Sequence, residues 1–288
     1  MLKINIKDEK YQAYLYIAPF FILYIIFTLY PIIGDVIMSF QTGTFTRLKF
    51  AGLENYKRLL TDKVLLETIK NTFMFVVVST IMYLAFAMLF ALWGQHQNRL
   101  SSMIRICIYI PTILIISVMT NIWTLMFRPE LGLWSYIFQG TSLADWNWLR
   151  DVNLARWTIV LSTLWWTVGT NMLIMISALR SIPKELYEAS SLDGASEIKQ
   201  FFMITLPHLY SVFKILIILQ TLASFKLFGQ SMLITGGAPG HSTRSIVLYI
   251  YDVGFGSRNP GYAAAISVLL MLILIFFSVL QAKLLKEK

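Results

Sequence analysis

Six long apolar segments dominate this chain of 288 residues. A helix rises about 1.5 Å per residue, so about 20 apolar residues are needed to cross the hydrocarbon of a bilayer. All the segments but the fifth lack charged residues, and the fifth contains Lys214 and Lys226. The sequence therefore predicts an all-α integral membrane protein with six transmembrane helices. The predicted spans cover approximately residues 13–33, 72–93, 106–127, 157–179, 209–227 and 262–280.

The composition agrees with a membrane location. The chain is 57% hydrophobic and 14% charged, whereas a soluble domain carries about 25% charged residues. The net charge of +9 does not indicate nucleic-acid binding, because the basic residues are spread over loops and helix ends and form no compact stripe. Lys3, Lys7 and Lys10 precede an apolar run that is too long for a signal peptide and has no cleavage site after it, which predicts a retained spanning helix.

The distribution of basic residues predicts the orientation in the membrane. An even number of spans places both termini on one side. Lys and Arg divide equally between the two sides, but the segments on the side of the termini are shorter and their basic density is higher. Arg99, Arg105, Arg180 and Lys283 lie close to span ends. Because basic residues concentrate in short cytoplasmic loops, both termini are predicted to be cytoplasmic.

The connection between the fourth and fifth predicted spans is long and polar. Residues 188–207 read EASSLDGASEIKQFFMITLP. Pro183 and Glu185 suit the first turn of a helix, since proline needs no donor there and a carboxylate complements the helix dipole. Gly194 can adopt a positive φ and turn the chain, and residues 195–203 can form a second short helix. The sequence thus predicts a helix–turn–helix that projects from the membrane.

This connection resembles the coupling loop of binding-protein-dependent ABC importer permeases, whose pattern is Glu-Ala-Ala, three residues, Gly, nine residues and Ile-x-Leu-Pro. Ser190 stands where the family has a second alanine. The resemblance implies docking in a groove of an ATPase subunit, with Glu188 paired with a basic residue there and Asp193 and Gly194 shaping the turn. An amphipathic loop of an unrelated membrane protein is the alternative, but it does not explain the spacing. The residues that match in identity and spacing are Glu188, Ala189, Gly194, Ile204, Leu206 and Pro207.

Further stretches are similar to the sugar-permease branch of this family and cover most of residues 52–280, among them NYKRLL, IPTIL, IWTLMFRPELG and GYAAAISV. TGGAPG is similar to a loop in the first of two paired permeases of sugar and glycerol-phosphate importers. The resemblance implies the six-helix type I ABC importer permease fold, with a cytoplasmic coupling helix between helices 4 and 5. It divides the chain into residues 1–70, with the first span and outer interfacial helices, and a core of residues 71–284 whose coupling loop is 180–208.

The resemblance implies a transport subunit and not an enzyme. Such a permease translocates a sugar, as an oligosaccharide or a related polyol derivative, across the bacterial cytoplasmic membrane by alternating access. The implied partners are a second, similar permease, two ATPase subunits, an extracytoplasmic solute-binding protein and the lipid bilayer. ATP and magnesium are expected on the ATPase and no cofactor on this chain, which lacks the Gly-Lys-Ser/Thr ending of a phosphate-binding loop.

Polar and aromatic residues inside the spans are candidates for a substrate pathway, because a lysine at the bilayer centre costs about 2.5–3.5 kcal/mol on insertion scales. The two lysines of the fifth span lie near its ends, where they could instead reach the membrane surface. The family often has Phe-Asp shortly after the second lysine, but this chain has Phe228-Gly229, so no role of that acid is carried over. For the amide side chains, hydrogen bonding between helices is the alternative role. The candidates are Asn121, Trp166, Asn171, Gln220 and Lys226.

Other classes of protein receive less support. No catalytic or metal-binding residues are predicted, because His96, His208 and His241 lie far apart and Cys107 is the single cysteine. This disfavours a membrane-embedded enzyme. A secondary transporter or channel stays an alternative, although the near absence of carboxylates from the spans gives it little support. Within the importers, a permease for a non-sugar solute such as an amino acid or a peptide is the closest competitor.

Overall fold

The computed structural model describes residues 9–96 and 98–284. The basic residues Lys3 and Lys7, and residues 285–288, lie outside this part of the chain. Most of the described residues are helical, which confirms the predicted fold class. The chain divides into two compact units, one of residues 1–62 and 250–272 and the other of residues 63–249 and 273–288.

The first unit begins with a long helical segment. α1 (Glu9–Tyr24), a π-helical turn (Ile25–Leu29) and α2 (Tyr30–Ser39) follow one another directly. Residues Tyr14–Ser39 are long and apolar enough to cross a membrane, which agrees with the first predicted span. No residue of their most apolar window is buried inside the chain, so these side chains are available to lipid or to another subunit.

A β-hairpin follows this segment. β1 (Gln41–Thr44) pairs antiparallel with β2 (Arg47–Phe50). Gly43 permits the hairpin, because its φ is 119° and a Cβ there would overlap the Arg47 carbonyl oxygen. α3 (Glu54–Thr61) comes next. The sequence analysis expected interfacial helices in this outer segment, and the structure has one short helix beside a hairpin, because threonine and phenylalanine in QTGTFTRLKF favour extended backbone.

Asn55 and Gly261 hold the hairpin within the first unit. The buried Asn55 side chain donates from Nδ2 to the carbonyl oxygens of Ser39 at 2.9 Å and Gln41 at 2.7 Å. Gly261 lies so close to β1 that a Cβ would overlap the Gln41 carbonyl oxygen. The hairpin therefore depends on the hydrogen bonds of the Asn55 side chain and on the absence of a side chain at Gly261.

Tyr262 adds a second contact within this unit. Its ring is fully buried, and its hydroxyl donates to the Asp62 carboxylate at 2.7 Å. The Arg58 guanidinium lies 4.0 Å from the ring centroid, a favourable cation–π distance. Together these groups fix the end of α3.

The remaining helices follow α3 along the chain, and α13 and α14 extend into the first unit's second segment. In chain order they are α4 (Lys63–Gly94), α5 (Arg99–Tyr109), α6 (Ile116–Met126), α7 (Leu133–Ile137), α8 (Val152–Arg180), α9 (Lys184–Leu192), α10 (Glu197–Gln200), α11 (Leu206–His208), α12 (Tyr210–Phe225), α13 (Ile246–Tyr251) and α14 (Pro260–Leu284).

Three of these helices, α4, α8 and α14, are individually long and apolar enough to span a membrane. They agree with the second, fourth and sixth predicted spans. α4 starts well before the predicted residue 72, because the polar residues from Lys63 onward continue the same helix. α4, α8 and α12 pack together in the second unit. The largest buried side chains of this core are Tyr83, Met172, Met175, Leu209 and Leu216.

The third predicted span, residues 106–127, is not one straight helix. α5 with its 3₁₀ extension (Ile110–Ile113) meets α6 at an angle of 106°. Pro111 lies in the extension and Leu114 is extended, with ψ of 138°, so the α-helical hydrogen bonds stop there. Gly169 of α8 admits the bend, because a Cβ there would overlap a backbone carbonyl of α5. The described residues thus contain four helices long and apolar enough to span a membrane, or up to six spans if each bent pair is one span.

The fifth span is bent as well. Residues Glu197–His208 meet α12 at 62°. A π-helical turn (Phe201–Thr205) and Pro207 precede the bend, and both interrupt regular α-helical hydrogen bonding. Lys214 in α12 is buried, with Nζ 4.3 Å from the ring centroid of Tyr210. Lys214 is therefore buried against a residue one turn earlier in α12.

The glycine-rich loop after the fifth span is also anchored. Asn71 of α4 donates from Nδ2 to the His241 carbonyl oxygen at 2.8 Å. Arg156 of α8 donates to the Ser242 carbonyl oxygen and to Asn71 Oδ1, both at 3.1 Å. The loop therefore follows a path fixed by α4 and α8.

Replacing Gly261 by alanine tests the packing of the hairpin. The added methyl group must displace the Gln41 carbonyl, and overpacking of this kind costs about 1–3 kcal/mol. We expect a lower midpoint of thermal unfolding for the purified chain in detergent. Gly256→Ala is the matched control, because no atom lies within 4 Å of its added Cβ. Equal midpoints for the two variants and the wild type would contradict this packing.

Candidate functional site

The connector, defined as residues 180–208, forms the predicted helix–turn–helix. α9 begins directly after Pro183, and Glu185 lies in its first turn. α10 begins after Ser196, whose Oγ accepts a hydrogen bond from the Lys199 backbone N–H at 3.4 Å. The two helix starts therefore follow the local residue preferences read from the sequence.

The turn between the two helices is a Schellman motif. Gly194 has φ of 78°. Its N–H donates to the Ser191 carbonyl at 3.0 Å, and the Ala195 N–H donates to the Ser190 carbonyl at 3.0 Å. These two bonds satisfy carbonyl groups that the end of a helix leaves free. Asp193 occupies the C-cap position before the glycine.

A polar clasp joins the two helices of the connector. It consists of Tyr187, Ser191, Gln200 and Thr205. The Tyr187 and Thr205 hydroxyls are 2.8 Å apart, and Gln200 Nε2 donates to Ser191 Oγ at 2.8 Å and to the Tyr187 carbonyl at 3.2 Å. The sequence analysis missed this clasp, because its residues are separated along the chain and only the turn brings them together.

The tip of the connector is open to solvent. Glu188, Ala189 and Asp193 are exposed, and within residues 9–96 and 98–284 no ion pair holds Glu188. Leu192 is 90% exposed and Ile198 is 72% exposed. Exposed apolar side chains beside the turn make this tip a surface suited to a partner.

The other predicted residues of the connector lie at its base. Ile204 is half-buried and packs against the core that contains Leu179, Ile182 and Leu209. Leu206 and Pro207 start α11. The matched residues thus fall into an exposed tip at 188–194 and a base that joins the connector to α12.

Two arginines hold the α4–α5 turn beside the connector. Arg180 donates from Nη2 to the Gln95 carbonyl at 3.1 Å, and Arg105 donates from Nη1 to the His96 carbonyl at 3.1 Å. A cavity of about 810 Å³ opens here, with Arg180, Tyr187 and Gln200 on its wall. The base of the connector is therefore tied to the turn as well as to α12.

A second cavity lies beside the middle of α8, and we call it the mid-helix cavity. Its volume is about 280 Å³. Thr163, Trp166 and Thr167 of α8 face Gln220 of α12 and Lys226, which follows α12. Three of the five predicted pathway residues, Trp166, Gln220 and Lys226, therefore line the same cavity.

Trp166 also supports the bend of the third span. Its Nε1 donates to the Leu114 carbonyl at 2.9 Å. Leu114 lies in the break between α5 and α6, where that carbonyl has no helical donor. The indole therefore satisfies an acceptor that the bend leaves free.

The other two pathway candidates, Asn171 and Asn121, lie in different environments. Asn171 donates from Nδ2 to Gln220 Oε1 at 3.3 Å, so it bonds between helices and orients a residue of the cavity wall. Asn121 is exposed on α6 and is not on that wall. The sequence analysis missed Ser224, whose buried Oγ has no partner among the described residues and which lines the cavity.

The part of the chain that the structure describes contains no group of three or more His, Cys, Asp or Glu residues able to hold a metal ion. Cys107 is exposed and free. The functional features of the described residues are therefore a connector with an open tip and a polar cavity.

Known proteins are similar to this chain in sequence. The family described as binding-protein-dependent transport system inner membrane component matches residues 84–287. The arabinooligosaccharides transport system permease protein AraP of Halalkalibacterium halodurans is 29% identical over 278 residues, which cover 96% of this chain and 88% of that protein. The sn-glycerol-3-phosphate transport system permease protein UgpA of Agrobacterium fabrum is 31% identical over 283 residues, which cover 97% of this chain and 96% of that protein.

A solved structure shares the fold. One chain in the crystal structure of a bacterial alginate ABC transporter, in complex with an alginate pentasaccharide-bound periplasmic protein, matches with a TM-score of 0.86. It is 20% identical, and the match covers 98% of this chain and 96% of that chain. The extent of the family match and of the relatives leads to one conclusion: this chain belongs to the binding-protein-dependent transport system inner membrane components, the ABC importer permeases, which are membrane-spanning transport subunits and not enzymes.

Proposed function

We propose that the chain is the permease subunit of an ATP-driven importer that carries a saccharide or a related polyol derivative across the bacterial cytoplasmic membrane. The two relatives are named as permeases for arabinooligosaccharides and for sn-glycerol-3-phosphate, and the solved relative belongs to an alginate transporter. These solutes are saccharides and a polyol phosphate, which supports the solute class.

The observation that carries the coupling part of the proposal is the exposed tip of the connector. Glu188 has no ion-pair partner among the described residues, and Leu192 and Ile198 are turned to solvent. Burial of such apolar side chains against a partner is favourable. We therefore assign residues 188–194 to contact with an ATPase subunit, where Glu188 pairs with a basic residue. The connector and both termini are then cytoplasmic.

The proposed assembly has two permeases, two ATPase subunits and an extracytoplasmic solute-binding protein. The alginate transporter structure includes a periplasmic protein that holds an alginate pentasaccharide, which supports a binding protein as the source of solute. ATP and magnesium belong to the ATPase. This chain supplies half of the pathway. Its connector transmits the movement of the ATPase to the membrane-spanning helices.

The clasp provides the contacts through which movement of the connector can be transmitted to α12. Movement of α9 pulls on Tyr187, whose hydroxyl contacts Thr205 in the π-helical turn before α12. α12 ends beside the mid-helix cavity, where Gln220 and Lys226 lie. A displacement of the connector is therefore transmitted to the cavity through α12. Closure of the ATPase dimer would open the pathway outward, and ATP hydrolysis would reset it.

The mid-helix cavity is proposed as part of the substrate pathway. Trp166, Gln220 and Lys226 would contact the solute, and Asn171 would orient Gln220. The cavity adjoins the middle of a membrane-spanning helix, a depth at which transporters commonly hold their solutes. The exposed Asn121 would join the pathway where α6 faces the second permease.

Charge reversal at Glu188 tests the contact with the ATPase. Loss of one partner from a buried interfacial charge pair costs about 2–5 kcal/mol, so Glu188→Lys should lower ATP-dependent uptake by about tenfold or more. The variant should still insert into the membrane, because the Glu188 side chain is exposed. Uptake by reconstituted vesicles and the ATPase rate of the same vesicles are measured together. The control is Asp145→Lys, which reverses the charge of an exposed residue outside the connector. Normal uptake by both variants would reject the contact.

Substitutions at Gly194 test the shape of the turn. Proline cannot adopt φ of 78° and has no N–H for the Ser191 carbonyl, so Gly194→Pro should uncouple ATP hydrolysis from uptake. Gly194→Asn should keep most of the activity, because asparagine tolerates the left-handed conformation and nothing lies within 4 Å of the added Cβ. A secondary transporter would move its solute equally well with either substitution.

A further inference from the structure

Lys226 is the charged residue on the wall of the mid-helix cavity. It directly follows α12 and its side chain is exposed. The residues that line the cavity include no Asp or Glu, and neither do α8 and α12. Within the described part of the chain Lys226 forms no ion pair. A lysine at this depth is costly unless it has an anionic partner or water, so the cavity holds an unmatched positive charge.

Other polar groups of the cavity can donate hydrogen bonds to a solute as well. The threonine hydroxyls of α8 already donate to backbone carbonyls, Thr163 to Ile159 and Thr167 to Thr163, each at 2.8 Å. Gln220 uses its oxygen to accept from Asn171, which leaves its NH₂ group to donate. Ser224 Oγ is buried and has no partner among the described residues. The Lys226 ammonium, the Gln220 NH₂ group and the Ser224 hydroxyl are therefore available as donors, and the amide of Gln230 lines the same cavity.

We propose that the imported solute is an anionic saccharide, with a carboxylate or a phosphate group that pairs with Lys226. This inference rests on the proposed function, because it names the class of solute that the cavity accepts. A carboxylate or a phosphate offers several acceptor oxygens and no more than one donor, which matches the free groups of the wall. Lys226 is thus a specificity-determining residue for charge.

The size of the cavity limits what can occupy it. A volume of about 280 Å³ lies at the lower end of the range for small-molecule sites, about 300–1,000 Å³. The cavity therefore suits one charged ring of a solute, and further rings of an oligosaccharide extend beyond it. Trp166 also lines the cavity, and an aromatic ring at such a place can pack against a sugar ring.

Chemical footprinting of Lys226 tests the pairing directly. The assembled importer in lipid nanodiscs is treated with acetic anhydride, and the acylation rate of each lysine is measured by peptide mass spectrometry. The probes are glucose, glucuronate and glucose 6-phosphate, three solutes that share one ring and differ in charge at one carbon. Lys49, an exposed lysine of β2 outside the cavity, is the internal reference.

We expect glucuronate or glucose 6-phosphate to slow acylation of Lys226 severalfold relative to glucose, with no effect at Lys49. Protection by glucuronate alone identifies a carboxylate as the preferred anion, and protection by glucose 6-phosphate alone identifies a phosphate. Equal protection by glucose, or no protection by either anion, overturns the inference.

Uptake separates this inference from the proposed function. Importer with Lys226→Arg should retain ATP-dependent accumulation of the anionic solute in vesicles, and importer with Lys226→Met should lose most of it while it keeps the unfolding midpoint of the wild type. A wild-type importer that accumulates only neutral saccharides contradicts the charge inference and leaves saccharide import standing. A wild-type assembly that accumulates no saccharide under ATP contradicts the proposed function, and the footprint at Lys226 then decides the charge inference alone.

Discussion

A polypeptide inside a bilayer must satisfy its own backbone hydrogen bonds, because the hydrocarbon offers no water to do so. α4, α8 and α14 meet this demand as uninterrupted helices. The third and fifth spans break, and each break needs another group to replace the lost bonds. At the third span that group is the indole of Trp166, which donates to the Leu114 carbonyl. Gly169, close to Trp166 on α8, provides the space for the bent backbone. α8 therefore makes room for the bent backbone of the third span and also supplies a hydrogen-bond donor to it.

The same constraint locates the polar cavity. Irregular backbone at membrane depth is tolerated where it is buried in protein or lines a cavity. The end of α12, the start of α6 and the middle of α8 meet at the mid-helix cavity, and the cavity lies where regular helix stops. Lys226 directly follows α12, so the group proposed to select the solute lies at the end of the helix that the connector is proposed to move.

Local sequence signals predicted the connector well and the bends poorly. Pro183, Ser196 and Gly194 act on their own neighbours, so local residue preferences in the sequence were enough to predict the helix starts and the turn. Pro111 is a local signal for the bend of residues 106–127, but hydropathy alone reads that region as a continuous apolar run. Gly169 and Trp166, which accommodate the bend, lie far along the chain. The clasp and the grouping of Trp166, Gln220 and Lys226 likewise need tertiary contacts. Candidate residues could be named from their polarity in the spans, but Asn171 and Asn121 show that polarity does not distinguish a cavity wall from a helix contact or an exposed face.

The central claim is that the tip of the connector contacts an ATPase, and site-specific photo-crosslinking tests it most directly. A benzophenone amino acid is placed at position 188 in the full-length chain, and native membranes are irradiated before purification. The account predicts a covalent adduct between this position and a nucleotide-binding subunit, identified by mass spectrometry, and no such adduct from the same group at the exposed position 145. Adducts from position 188 with lipid or with this chain alone, in membranes where the importer is assembled, would contradict it.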